Sequence, residues 1–310
     1  MRKILVPVDF SEFSMNALDV AIYIARVKEM TIRLLHVTED SYTPYYNMVG
    51  IGMVEENTLY TYRKELERSL NDQLSEQAEK IRQKNISVEY QILDGTPYKS
   101  IIDDAGKQNA DLIVMGSHGH NDIEDIFIGG TSEKVIRLSP IPVLTVYEAR
   151  ENYSIDKIVF ASDFKEPEVE PILLQVIDFA ELFMAELFLV RINTPSDRII
   201  SKNSRKKLDE LAARFNLSAG SVTTYSDRSE EEGIVNYSRE VGADLIAMCT
   251  HGRTGLARLF KGSLAEEVAG FSNIPVLTFN IVKDKLVHSS QPILRKRKLI
   301  LDPGRKKSAE

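Results

Sequence analysis

Two stretches of this chain combine glycines and hydroxyl side chains at spacings that can fold backbone N–H groups around a phosphate. The fuller one reads Thr250-His251-Gly252-Arg253-Thr254-Gly255, continues from Leu256 to Lys261 and closes on Gly262-Ser263. The earlier one reads Gly116-Ser117-His118-Gly119, then nine residues, then Gly129-Gly130-Thr131-Ser132. Glycine lets the backbone approach an anion closely, and a helix that begins after such a loop offers unpaired N–H groups and its positive end. Asp9 and Asp163 each follow a short apolar run and have the chemistry to accept a hydrogen bond from a base or a ribose.

The two stretches are copies. His118 and His251, Gly129 and Gly262, and Pro142 and Pro275 are each 133 residues apart, with no gap between them. Ala110-Asp111-Leu112-Ile113 falls on Ala243-Asp244-Leu245-Ile246 at the same offset, and Ile141-Pro142-Val143-Leu144-Thr145-Val146 falls on Ile274-Pro275-Val276-Leu277-Thr278-Phe279. Near each start the offset grows to 154, pairing Asp9 with Asp163, so the first copy carries about twenty extra residues. The expected organisation is a first domain over 1–148, a second over 153–281 and a basic tail over 282–310.

The elements that must position these residues follow from periodicity. Short β-branched runs alternate with longer helical stretches, the pattern of a parallel sheet covered on both faces. Strands are expected at Lys3–Val8, Thr31–Val37, Ser87–Leu93, Leu112–Gly116 and Val143–Val146. In the second copy they are expected at Lys157–Ala161, Leu187–Ile192, Ser221–Tyr225, Leu245–Cys249 and Val276–Phe279. Ser11 is placed to cap a helix running to Lys28, and Thr96-Pro97 to open another. The fold class is α/β: two tandem doubly wound domains, each a five-stranded parallel sheet in the order 3-2-1-4-5 with four helices. In that order the first and fourth strands are neighbours, so each aspartate and its glycine loop converge on one crevice.

Composition sets the class. Hydrophobic content of 43% and charged content of 27% suit a globular protein, and no apolar run is long enough to span a bilayer. The N-terminus enters a strand without a signal-peptide pattern, and the single cysteine, Cys249, suits a reducing compartment, so a cytoplasmic location is expected. One cysteine also excludes a cysteine-clustered zinc site. The net charge is −7, yet 281–310 holds nine Lys or Arg against three Asp or Glu. The acidic body argues against nucleic-acid binding except through the cluster Arg295-Lys296-Arg297-Lys298. A solvated terminus is the plainer reading of that tail.

With these residues in view the chain resembles the universal stress protein family in its tandem two-domain form. The resemblance is carried by Thr250 to Val268, by Val6-Pro7-Val8-Asp9-Phe10-Ser11, by Val114 to Gly119 and by Ser132-Glu133-Lys134-Val135. It covers about residues 1 to 280. It implies a stress-response or signalling module that binds a nucleotide, ATP with magnesium being the expected ligand, through Gly, two residues, Gly, nine residues, Gly, then Ser or Thr. On copy two this assigns Asp163, Gly252, Arg253, Arg258, Gly262 and Ser263, with Cys249 in place of the first glycine. On copy one it assigns a degraded site of Asp9, Gly116, Gly119, Gly129 and Thr131. There Gly130 stands at the hydroxyl position, and the insert carries Asp122, Glu124 and Asp125, which repel a polyphosphate. The resemblance also implies pairing of the last strands, within the chain as a pseudo-dimer or between chains as a homodimer.

Plainer roles exist for several of these residues. Asp9, Asp163 and Ser263 are good helix caps, the histidines suit loop packing, Arg253 and Arg258 suit a solvated face, and Cys249 suits a buried thiol. No catalytic residue and no metal-ligand set is read from the sequence, and slow ATP hydrolysis is the most expected of the loop. The alternative function is a scaffold that binds a protein partner or an apolar ligand through the segment from Tyr42 to Val54, rich in Tyr and Met, which has only the short Asn193-Thr194-Pro195-Ser196-Asp197 as its counterpart.

Overall fold

The computed structural model describes residues 2–39, 56–118, 129–148, 153–164, 169–195, 202–215, 217, 221–250 and 264–281. In the first copy the chain runs β1 (Lys3–Pro7), α1 (Glu12–Lys28), β2 (Thr31–Thr38), α2 (Glu56–Arg82), β3 (Val88–Asp94), α3 (Pro97–Lys107), β4 (Leu112–Gly116), α4 (Gly130–Leu138) and β5 (Val143–Val146). The second copy repeats it with β6 (Lys157–Ala161), α5 (Val169–Phe183), β7 (Glu186–Asn193), α6 (Lys202–Arg214), β8 (Val222–Ser226), α7 (Glu230–Val241), β9 (Leu245–Thr250), α8 (Leu264–Phe271) and β10 (Val276–Asn280). Every strand expected from the sequence is present, with ends shifted by a residue or two at most.

All ten strands join one sheet in the order β3-β2-β1-β4-β5-β10-β9-β6-β7-β8. Each half has the expected order 3-2-1-4-5 and is parallel throughout. The halves meet where β5 and β10 pair antiparallel, and Leu144 faces Leu277 there. Those two leucines are equivalent at the 133-residue offset, so a pseudo-twofold axis passes between them. Thr145 Oγ1 donates to Val276 O at 3.2 Å, and its equivalent Thr278 donates back to Val143 O at 3.1 Å. The pairing satisfies the two edges that a lone copy would expose.

Strand alternation divides the core into two layers that each run through both copies. Ile4, Val6, Leu34, Leu144, Ile158, Phe160, Leu189 and Leu277 point to one face, with the buried stripes of α1 and α5 against them. Leu5, Leu35, Ile113, Val143, Val159, Val190, Ile246 and Val276 point to the other, covered by α3, α4, α7 and α8. α1 shows why its sequence is helical: Ala17, Leu18, Ala21, Ile24 and Ala25 recur at three- and four-residue spacing, and Ser11 Oγ accepts from Ser14 N at 3.2 Å. Across the first layer the copies touch through Tyr23, which stacks on Phe183 at 5.8 Å, meets Tyr153 edge-on and accepts from Ile155 N at 3.3 Å.

At the amino ends of the strands the copies differ. Arg33 on β2 is buried and grips Asp104 of α3 through Nε at 2.6 Å and Nη2 at 2.8 Å, with Gln91 and Glu89 beside it. The hydrogen bonding of Asp104 first, and then the charges of Asp104 and Glu89, push the Arg33 guanidinium above its ordinary pKa against the opposing effect of burial. Strand register places Phe188 where Arg33 stands, and the 133-residue offset places Tyr237 where Asp104 stands. One copy holds a paired charge at this position, and the other holds two aromatic residues of the same hydrophobic layer, with the Tyr237 ring 5.4 Å from that of Tyr225.

Candidate functional site

The crevice of an open parallel sheet opens beyond the strand carboxyl ends where strand order reverses, here between β1 and β4 and again between β6 and β9. Asp9 and Asp163 stand two residues past β1 and β6. Each is followed by a residue in the left-handed region, Phe10 at φ 63° and Phe164 at φ 53°. A phenylalanine there is unfavourable, and its recurrence in both copies marks a turn held for its shape. Phe164 is held by burial against Phe160, at a ring distance of 5.8 Å.

The aspartates then diverge. Asp9 Oδ1 accepts from Ser11 N at 3.0 Å and from Ser11 Oγ at 2.6 Å, so part of its hydrogen-bonding capacity braces the cap of α1. Lys165 stands at the equivalent of Ser11, and an ammonium cannot cap a helix N-terminus. Asp163 is exposed at the mouth of its crevice.

In copy one the two described ends of the loop are tied together. Gly116 ends β4 where a Cβ would lie 2.8 Å from Phe13 C, 2.9 Å from Phe13 Cβ and 3.0 Å from His118 O, so the close approach of α1 requires glycine. Gly129 caps α4 and donates its N–H to Ser117 O at 2.8 Å, while Ser132 Oγ turns back to Gly116 O at 2.8 Å. Thr131 lies in the first turn of α4, half-buried. Gly130 has open space around it, so steric need does not explain why glycine replaces a hydroxyl. Phe13, His118 and Tyr147 pack ring to ring at 5.2, 5.3 and 5.5 Å over these strand ends, and Ser117 Oγ bonds His118 Nδ1 at 3.0 Å. His118 packs within the loop, as expected. The sequence reading missed Phe13 and Tyr147; comparison of the copies at position 147, where copy two has Asn280, was the available signal.

In copy two the strand and helix that bracket the glycine loop are described, and the loop itself is not. Gly252, Arg253, Arg258, Gly262 and Ser263 lie outside the described residues, as do Gly119, the segment from Tyr42 to Val54 and the basic tail. Cys249 ends up beside Asp163: burial pushes its thiol well above the ordinary range, and the carboxylate charge pushes it further. A lowered, reactive thiol is therefore not what this position holds. Thr250 follows, fully buried, and α8 opens with Glu266 and Glu267, acids that suit a helix N-terminus. Among the described residues no group of three His, Cys, Asp or Glu is placed to hold a metal ion, and no helix is long and apolar enough to cross a membrane.

Two doubly wound halves, each with an aspartate and a glycine-loop strand at its switch point, define a tandem doubly wound α/β protein. The family model described as "Universal stress protein family" matches residues 1–147 and again 154–280, and the chain belongs to that family in tandem two-domain form. It is similar to universal stress protein YxiE of Bacillus subtilis (strain 168), at 31% identity over 145 residues that cover 47% of this chain and 98% of the relative. It is also similar, at 26% identity over 295 residues, to universal stress protein Slr1230 of Synechocystis sp., which covers 90% of this chain and 100% of the relative. Among solved structures, a universal stress protein from Archaeoglobus fulgidus shares the fold with a TM-score of 0.69 at 22% identity, over 90% of this chain and 98% of that one.

Proposed function

We propose that this protein is a nucleotide-binding stress-response module with one working site, in copy two, taking ATP with magnesium and carrying no dedicated catalysis. The observation that carries the reading is the divergence of the two crevices. In copy one Asp9 is turned to Ser11 and an aromatic cluster packs over the strand ends. In copy two Asp163 is exposed, Asn280 replaces Tyr147, and the loop sequence supplies Arg253, Arg258 and Lys261 in place of Asp122, Glu124 and Asp125. Charge sign acts over the whole polyphosphate, so the basic insert favours the ligand that the acidic one repels. Family membership supports the same reading through the loop pattern.

Equilibrium dialysis of the full chain against ATP and magnesium tests it. The reading predicts saturation at one nucleotide per chain, without phosphate release above background. Two equivalents, or none, would overturn it.

A further inference from the structure

Beside the Asp163 turn stands a buried side chain that the nucleotide reading does not use. Asn193 ends β7 and is 7% exposed. Its backbone carbonyl is engaged toward β8, accepting from Asp227 N at 3.1 Å. Leu189 belongs to the first core layer, so strand alternation sends the Asn193 side chain to that same face, which Phe164 shares. Among the described residues the amide has no hydrogen-bond partner, and neither Oδ1 nor Nδ2 is sealed from solvent. A largely buried amide in that state is costly unless something entering from outside pairs with it.

Copy one supplies the comparison. Pro7 pairs with Leu35 and Ala161 with Val190, which makes Thr38 the counterpart of Asn193. Thr38 pairs in turn with Asp94, and Asn193 with Ser226. In copy one the hydroxyl is spent within the sheet, since Thr38 Oγ1 donates to Asp94 Oδ1 and lies 3.4 Å from Leu93 O. In copy two both members of that pair have changed, and the amide that replaces the hydroxyl bonds to neither strand.

The strand order gives the amide its place relative to a ligand. The last pair between β6 and β7 is Ala161 with Val190, Ser162 N still donates to Val190 O at 3.2 Å, and β7 runs on to Asn193. The end of β7 therefore flanks the turn Ser162-Asp163-Phe164. In the order β9-β6-β7 the glycine loop follows β9 on one side of Asp163, and Asn193 lies on the other. Neighbouring strands are about 4.8 Å apart, so β9 and β7 are separated by about 10 Å, a span that a nucleotide covers between phosphates and base. With phosphates at the loop and the ribose at Asp163, the base falls beside the end of β7.

We propose that Asn193 reads the hydrogen-bonding edge of the base and is a specificity-determining residue of the copy-two site. The assignment rests on the nucleotide reading and narrows its ligand to a base that offers a donor beside an acceptor, as adenine does with its amino group and a ring nitrogen. Asn193 Oδ1 accepts from the amino group, and Nδ2 donates to the ring nitrogen.

Calorimetric titration of the full chain with ATP and with purine riboside triphosphate, which lacks the amino group, tests this as a cycle between side chain and ligand. Wild type should bind ATP more tightly by roughly tenfold, because the analogue leaves Oδ1 unpaired. In Asn193→Leu, which removes the amide at similar volume, and in Asn193→Thr, which installs the copy-one residue, the two ligands should bind within about twofold of each other. Both variants should keep the circular dichroism of wild type. A preference for ATP that survives in both variants, or equal binding of the two ligands by wild type, would overturn the assignment and leave the nucleotide reading in place. Failure of wild type to bind ATP would overturn both.

Discussion

Cys249 gives a quantitative handle on the copy-two crevice because it is the chain's single cysteine and lies beside Asp163. Its thiol pKa is raised in the folded protein, first by burial and then by the Asp163 charge. Above the ordinary thiol value of about 8.5 the unfolded chain releases this proton and the folded chain keeps it. The unfolded state then binds one proton fewer, so stability falls as pH rises, by about 1.4 kcal/mol per pH unit. Between pH 8.5 and 10 the loss attributable to this thiol approaches about 2 kcal/mol. Tyr225 and Tyr237, also raised, act in the same direction above their ordinary range, whereas Lys28, lowered by burial, acts oppositely. Those contributions cancel in the difference between wild type and Cys249→Ala. Urea unfolding of both at pH 8, 9 and 10 should show wild type losing its margin over the variant progressively. A difference that stays constant within roughly 0.3 kcal/mol across the range would refute the burial argument.

Other expectations concern the frame that holds the site. Gly116→Ala places a Cβ against the Phe13 backbone and should cost about 1–3 kcal/mol, read as a lower urea midpoint with an unchanged slope. Asp104→Ala leaves the buried Arg33 guanidinium without its main partner and should cost about 3–5 kcal/mol. The pair Arg33→Phe with Asp104→Tyr, copying what copy two has there, should recover most of that loss in a double-mutant cycle. Met184 ends α5 with φ 56° and is almost fully exposed, so Met184→Gly should raise the thermal midpoint, with a gain of about 0.5–1 kcal/mol.

Much of the fold was legible because it repeats. Both aspartates and the loop positions follow from hydrophobic runs compared at a fixed offset, the strand order from the doubly wound pattern, and the pairing of β5 with β10 from the family resemblance. What escaped the sequence depends on distance along the chain. Arg33 and Asp104 are 71 residues apart, and no local pattern announces that one ends up in the other's grip. The Phe13, His118 and Tyr147 cluster draws on the first turn of α1 and on the residues just past β4 and β5. Thr250 reads in the sequence as an ordinary loop hydroxyl, and its burial at the end of β9 appears only in the fold. The substitution of Cys249 for glycine was visible, and its reading as a buried thiol agrees with the raised pKa; that Asp163 stands close enough to push it further was not visible.

The central claim is that the two copies have divided their roles and that copy two keeps the nucleotide. Calorimetric titration with ATP and magnesium of wild type, Asp163→Ala and Asp9→Ala tests it most directly. Binding at one site per chain, abolished in Asp163→Ala and retained in Asp9→Ala, is the predicted result. Binding lost in Asp9→Ala and kept in Asp163→Ala, or heat in none of the three, would contradict it.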